Sequence, residues 1–157
     1  YYNRGATYYF QLQFEPARAD LARTLELNPE EYRAYGYQAA MYRAEGQFDL
    51  AIEAYSKVVE LDPDNVSAIY NRGSLYETQW KLNEALADFN RVAELIPEEA
   101  SVYYHRAEVF MEIGKYQEAL EDLQRALALS QEPEMTQMIN ARMLDLREMM
   151  PSLPIAG

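Results

Sequence analysis

The sequence predicts an all-α chain of stacked antiparallel helix pairs. Three observations predict it: a 34-residue internal period, apolar residues at helical spacing inside each period, and glycine or proline where helices should stop. Proline stands at Pro29, Pro63 and Pro97, and alanine at Ala17, Ala51, Ala85 and Ala119, each 34 residues after the last. An aromatic residue keeps the same step at Tyr8, Tyr42, Tyr76 and Phe110, and a small residue keeps it at Gly5, Ala39, Gly73 and Ala107. The four letters YNRG occur at Tyr2–Gly5 and again at Tyr70–Gly73, two periods apart. One helix pair of this length cannot bury its apolar face alone, so the pairs must stack.

The elements follow in order. In the first repeat Gly5 and Tyr8 lie three apart on one helix face, and Ala17 and Leu21 lie four apart on the next. Small residues let two helices approach, and large ones fill the space beside them. In the second repeat, EEYRAYGYQAAMYRAEG is aromatic-rich and stops at glycine. FDLAIEAYSKVVELDP follows, with Leu50, Ile52, Tyr55, Val58, Val59 and Leu61 near a 3.6-residue period, and stops at Asp62-Pro63. The acids after each proline (Glu30 and Glu31, Asp64, Glu98 and Glu99) are expected in the next helix's first turn, where the helix dipole favours them. The repeats continue to about residue 131. Residues 132–150 are expected to form a last helix with Met135, Met138, Ile139, Leu146 and Met149 on one broad stripe, capping the array. A methionine-rich adaptable binding surface is the alternative for that stripe. The tail 151–157 is expected to be mobile.

Composition bounds the function. Of 157 residues 49% are hydrophobic, enough for a sizeable core, and the net charge is −12. Such a chain is a poor partner for nucleic acid or an anionic membrane surface. It has no cysteine and one histidine, His105, which excludes thiolate and multi-histidine metal sites. No metal or cofactor is assigned from the sequence. No apolar run is long enough for a membrane-spanning helix, and no export signal is seen, so the expected compartment is the cytoplasm. No phosphate loop or nucleophile motif occurs, and the chain is expected not to be an enzyme.

The in-phase columns resemble tetratricopeptide repeats. The pattern is matched by Tyr1, Gly5, Tyr8, Ala17, Leu21 and Pro29; by Tyr35, Ala39, Tyr42, Ala51, Tyr55 and Pro63; by Ile69, Gly73, Tyr76, Ala85, Phe89 and Pro97; and by Tyr103, Ala107, Phe110, Ala119 and Leu123. The fourth proline is displaced to Pro133, and tyrosine or isoleucine replaces the tryptophan at the head of the pattern. The resemblance covers four repeats, 1–131, the first truncated at its start. It implies a right-handed superhelical solenoid whose first helices line a concave groove.

Where that family often carries leucine, this chain has Arg4, Arg72 and Arg106, and each has an aspartate sixteen residues on: Asp20, Asp88 and Asp122. In the second repeat the two places hold Gln38 and Ala54, so both charges vanish together. Each Arg–Asp pair is expected to bridge the two helices of its repeat.

Two columns are expected to face the groove: Tyr2, Gly36, Tyr70, Tyr104 and Asn3, Tyr37, Asn71, His105. Tyrosine offers contact area at small entropy cost, and asparagine can both donate and accept to a peptide group. Arg33 and Arg43 add a basic spot that favours an acid on the partner. The expected function is therefore a protein-interaction module or scaffold holding a peptide or helix in this groove. The alternative is a structural subunit or spacer of a larger complex, bound by its convex face and ends. The family's carboxylate clamp is not reproduced, because its basic places hold Gly36, Ala40, Ser101 and His105. Tight binding of a C-terminal Glu-Glu-Val-Asp peptide is therefore not expected.

Overall fold

In the computed structural model residues 1–149 are described. Met150 and the expected tail 151–157 lie outside the described residues. Regular structure among them is helical: α1 Tyr2–Phe10, α2 Phe14–Leu27, α3 Tyr32–Ala44, α4 Phe48–Leu61, α5 Val66–Thr78, α6 Leu82–Leu95, α7 Ala100–Glu112, α8 Tyr116–Leu129 and α9 Pro133–Met149. The even-numbered helices α2 to α8 begin and end 34 residues apart without slippage.

The turn inside each repeat explains this regularity. Odd helices α1 to α7 end with the same two backbone bonds, in which the amides of Leu12, Gly46, Trp80 and Gly114 reach back three residues and those of Gln13, Gln47, Lys81 and Lys115 reach back five. This is the Schellman closure, whose first residue past the helix takes a left-handed conformation. Gly46 and Gly114 adopt it at φ 73° and 77°, as glycine does without strain. Leu12 and Trp80 adopt it at φ 57° and 58°. There a side chain crowds the following carbonyl, at about 1–2 kcal/mol.

The chain divides into two compact units, one spanning Tyr1–Leu75 and one beginning at Tyr76, so α5 crosses the boundary. In the first unit α1 packs on α2 and α3 on α4. Its core holds Ala17, Leu21, Ala34 and Met41, flanked by Tyr2, Tyr8, Tyr9, Phe14 and Tyr37. The α1–α2 crossing is tight at Gly5, where a Cβ would stand 3.0 Å from Leu21 Cγ and 3.2 Å from Asp20 Cβ. In the second unit α7 packs on α6 and α8, and α9 packs on α8 and α7. Phe89, Val102, Val109, Leu123, Ile139 and Leu146 are buried.

Three expectations are corrected. The acids following the prolines precede their helices: α3, α5 and α7 carry no acid in the first turn. Glu99 instead caps α7 from outside, accepting from the Ser101 amide at 3.3 Å. Asn65 accepts from the Ala68 amide at 3.0 Å at the start of α5. First-turn acids stand on the even helices, at Glu15, Asp49, Glu84 and Glu118. Leu50 and Leu61 are exposed, because α4 turns the arc of Ile52, Tyr55 and Val58 inward and leaves its flanks to solvent. On α9 the buried side is Ile139 and Leu146, seven apart, while Met138 and Met149 face outward. The five-residue stripe was too broad for one helix face.

Candidate partner-binding surfaces

The Arg–Asp pairs set the frame on which the surfaces stand. Arg4 donates through Nε and Nη2 to both Asp20 carboxylate oxygens at 2.5 and 2.6 Å. Arg106 does the same to Asp122 at 2.6 and 2.7 Å. The guanidinium of Arg4, hydrogen-bonded to Asp20, lowers that carboxyl's pKa from its ordinary value. Arg72 and Asp88 fall in different units, and their pairing stays an expectation.

The sequence reading missed a further column. Arg106 also donates to Asn90 Oδ1 at 2.9 Å, and Arg72 donates to Ser56 Oγ at 3.2 Å, each sixteen residues earlier. Arg106 therefore ties α7 to the preceding even helix as well as to the following one. The signal was present: Ala22 precedes Gln38 by the same sixteen, so the polar partner is missing where the arginine is missing.

In the first unit, five of the expected groove residues, Tyr2, Arg33, Tyr37, Arg43 and Asn71, line a cavity of about 450 Å³. Tyr9, Phe10, Tyr32, Tyr55 and Asn65 complete much of its wall. Tyr37 is its aromatic centre, with ring centroids 5.0 Å from Tyr9, 5.9 Å from Phe10 and 6.0 Å from Tyr2. Burial raises the phenol pKa of Tyr2 and Tyr55, so both stay neutral hydrogen-bonding groups. The Arg33 guanidinium lies 5.8 Å from the Tyr2 ring centre and pairs with Glu31 at 3.2 Å. Arg43 donates to Asn71 Oδ1 at 2.5 Å, and Asn71 donates to the Ser67 carbonyl at 2.7 Å. Asn71 is thus engaged by its neighbours and presents Arg43 to the cavity. Asn3 and Tyr70 lie outside the lining. The run Tyr8-Tyr9-Phe10 at the end of α1 is the signal for two of the lining rings, whereas Tyr55 belongs to the buried arc of α4 and carries no groove signal of its own.

In the second unit the expectation fails for Tyr104, which is buried at 6% exposure. Its hydroxyl donates to Glu108 Oε1 at 3.3 Å. Arg142 of α9 donates to that same oxygen at 2.6 and 2.9 Å, laying α9 against the face that was expected to be open. His105 is half-buried, its ring stacked on Phe89 with centroids 5.8 Å apart.

Family models described as TPR repeat and tetratricopeptide repeat match residues 39–79, 66–99 and 100–133, together running from 39 to 133. No curated protein matches the sequence. Among solved structures, that of MamA is 22% identical, covers 92% of this chain and 86% of its own, and superposes with a TM-score of 0.80. PilF of Pseudomonas aeruginosa is 24% identical over 95% of this chain and 68% of its own, with a TM-score of 0.76. The first TPR of Spaghetti (RPAP3), solved with the HSP90 peptide SRMEEVD, is 26% identical over 74% of this chain and 93% of its own, with a TM-score of 0.66. No helix among the described residues is long and apolar enough to cross a membrane. With the 34-residue register, the four identical turns and these matches in hand, the chain is a tetratricopeptide-repeat protein, an all-α helical-repeat solenoid and a protein–protein interaction module.

Proposed function

We propose that the cavity of the first unit holds an extended segment of a partner protein that offers an apolar side chain next to a carboxylate. The observation that carries this reading is the pairing of two guanidiniums, Arg33 and Arg43, with a wall of tyrosine rings in a chain of net charge −12. The rings supply rigid apolar area with little entropy to lose. The guanidiniums supply the charge-assisted bonds that fix an acid. The module is read as non-catalytic: the matched models describe a repeat, and the cavity holds no nucleophile paired with a base.

An immobilised array of random and acidic peptides tests the proposal. Wild type is expected to retain acidic–apolar sequences at micromolar strength. Tyr37→Ala and Arg43→Ala are each expected to weaken them by about 1–4 kcal/mol, the size of a hot-spot residue, with the helical circular dichroism unchanged. The peptide SRMEEVD is expected to bind this chain more weakly than about 10 μM, since the clamp's basic places hold Gly36, Ala40, Ser101 and His105. If both variants retain the same peptides as wild type, the cavity is not the binding surface and the structural-subunit reading replaces this one.

A further inference from the structure

The second unit holds a group that the interaction surface does not use. His105 Nδ1 stands 3.5 Å from Glu77 Oε2 and 3.6 Å from Glu108 Oε2. The three donor atoms lie within 4.8 Å of one another, and all three residues are half-buried. His105 and Glu108 are three apart on α7 and so share one face. Glu77 arrives from the last turn of α5.

We infer that Glu77, His105 and Glu108 form a site for a divalent transition-metal ion of the zinc type. Four ligands held about 2.0 Å from a tetrahedral ion stand about 3.3 Å from each other. The two His–Glu separations come within a few tenths of an ångström of that edge, and the Glu77–Glu108 separation, no more than 4.8 Å, is the one that rotation of the two carboxylates must close. The donor set is one imidazole nitrogen and two carboxylate oxygens. It suits zinc, which takes nitrogen and oxygen together in fours. It suits calcium and magnesium poorly, since they demand six or more oxygens or a near-complete water shell.

The surroundings order the donors. Glu108 spends its other oxygen, Oε1, on Arg142 and Tyr104, which fixes the carboxylate plane and leaves Oε2 turned to His105. The His105 ring is held by its stack on Phe89. Arg142 offsets one of the two carboxylate charges, so the nitrogen bond, rather than charge alone, must carry selectivity. Glu77 and Glu108 also line a cavity of about 260 Å³ with Trp80, Met111 and Arg142, which gives an ion a way in and room for a water as fourth ligand.

Titrating zinc chloride into the chain by calorimetry tests the inference, with cobalt absorption as the report of geometry. One ion per chain is expected, with visible cobalt bands of tetrahedral intensity and no heat from magnesium. His105→Phe keeps a ring against Phe89 and removes the nitrogen. It and Glu77→Gln are each expected to weaken zinc by more than about 100-fold, beyond what outer-shell changes cost. Glu112→Gln removes a neighbouring acid of the same cavity and is expected to leave affinity unchanged. Circular dichroism of each variant confirms that it is folded. The inference is overturned if zinc gives no saturable binding. It is also overturned if His105→Phe and Glu77→Gln bind as wild type does. Peptide binding by the first unit stands or falls separately.

Discussion

Arg4–Asp20 and Arg106–Asp122 are the same pair drawn twice, with the same atoms and nearly the same bond lengths. Their surroundings differ. The Arg4 side chain is 61% exposed and that of Arg106 is 18% exposed, while both aspartates are buried. Arg106 is additionally held by Asn90 and covered by the rings of Tyr103 and Phe110. The odd helices diverge in the same way. On α3 the register of Tyr37, Ala40 and Arg43 opens an aromatic cationic cavity. Two repeats later the same register on α7 reads His105, Glu108 and Met111, and α9 is laid over it. A repeat thus specifies where a side chain stands, and its neighbours decide what that side chain is worth.

The strongest test of this contrast is to remove each aspartate. Asp122→Ala leaves a largely buried guanidinium without its carboxylate and is expected to cost about 3 kcal/mol in urea unfolding. Asp20→Ala leaves Arg4 able to reach water, so a clearly smaller loss is expected. Equal losses would mean that burial does not set the value of the pair. The glycines give the next contrast. Gly5→Ala drives a Cβ into Leu21 and is expected to destabilise by about 2 kcal/mol. At Gly36 the nearest atom is Val58 Cγ2 at 4.0 Å, and Gly36→Ala is expected to stabilise by about 1 kcal/mol through helix propensity. Thermal melts of the two variants should move in opposite directions.

The turns come third. Leu12→Gly and Trp80→Gly relieve a left-handed residue and are expected to gain about 1 kcal/mol each, whereas Gly46→Ala should lose about as much. The smallest effect is the acid response of the first unit. Because the folded pKa of Asp20 is lowered, its contribution is fully present above the ordinary carboxyl range and is lost as pH falls through the lowered value. Melting temperature measured downward from pH 5 should therefore fall less in Asp20→Asn than in wild type. Parallel curves would remove Asp20 from the account.

Much of the fold was legible because a stacking unit must repeat its packing residues. The alanine column at Ala17, Ala51, Ala85 and Ala119 marked the even helices, and each of those helices carries its alanine at the same place. Leu12 and Trp80 gave no turn signal of their own, because neither residue type favours the left-handed region. Only their place, 34 residues from Gly46 and Gly114, marked them. The cavity was half legible. Tyr37 and Arg43 could be placed by register, but the contribution of Tyr9 and Phe10 depends on how α1 ends against α3. The burial of Tyr104 could not be read from the period, since the helix that covers its face lies beyond the last repeat.

The arginine that touches the even helix on either side has a consequence for how the array comes apart. In a linear repeat protein, stability is a sum of unit terms and neighbour terms, and cooperativity lives in the latter. Arg106 puts one side chain into a unit term, through Asp122 of its own repeat, and into a neighbour term, through Asn90 of the preceding one, so α6, α7 and α8 share a single set of bonds and should open together in hydrogen exchange. At α3 that office is vacant: Gln38 stands there, and the side-chain ion pair between α2 and the end of α3 is instead Arg18 with Glu45, 2.6 Å apart. Fraying should therefore begin on the α1–α2 side of that seam, so the unit that offers the aromatic cavity is also the one that breathes most readily.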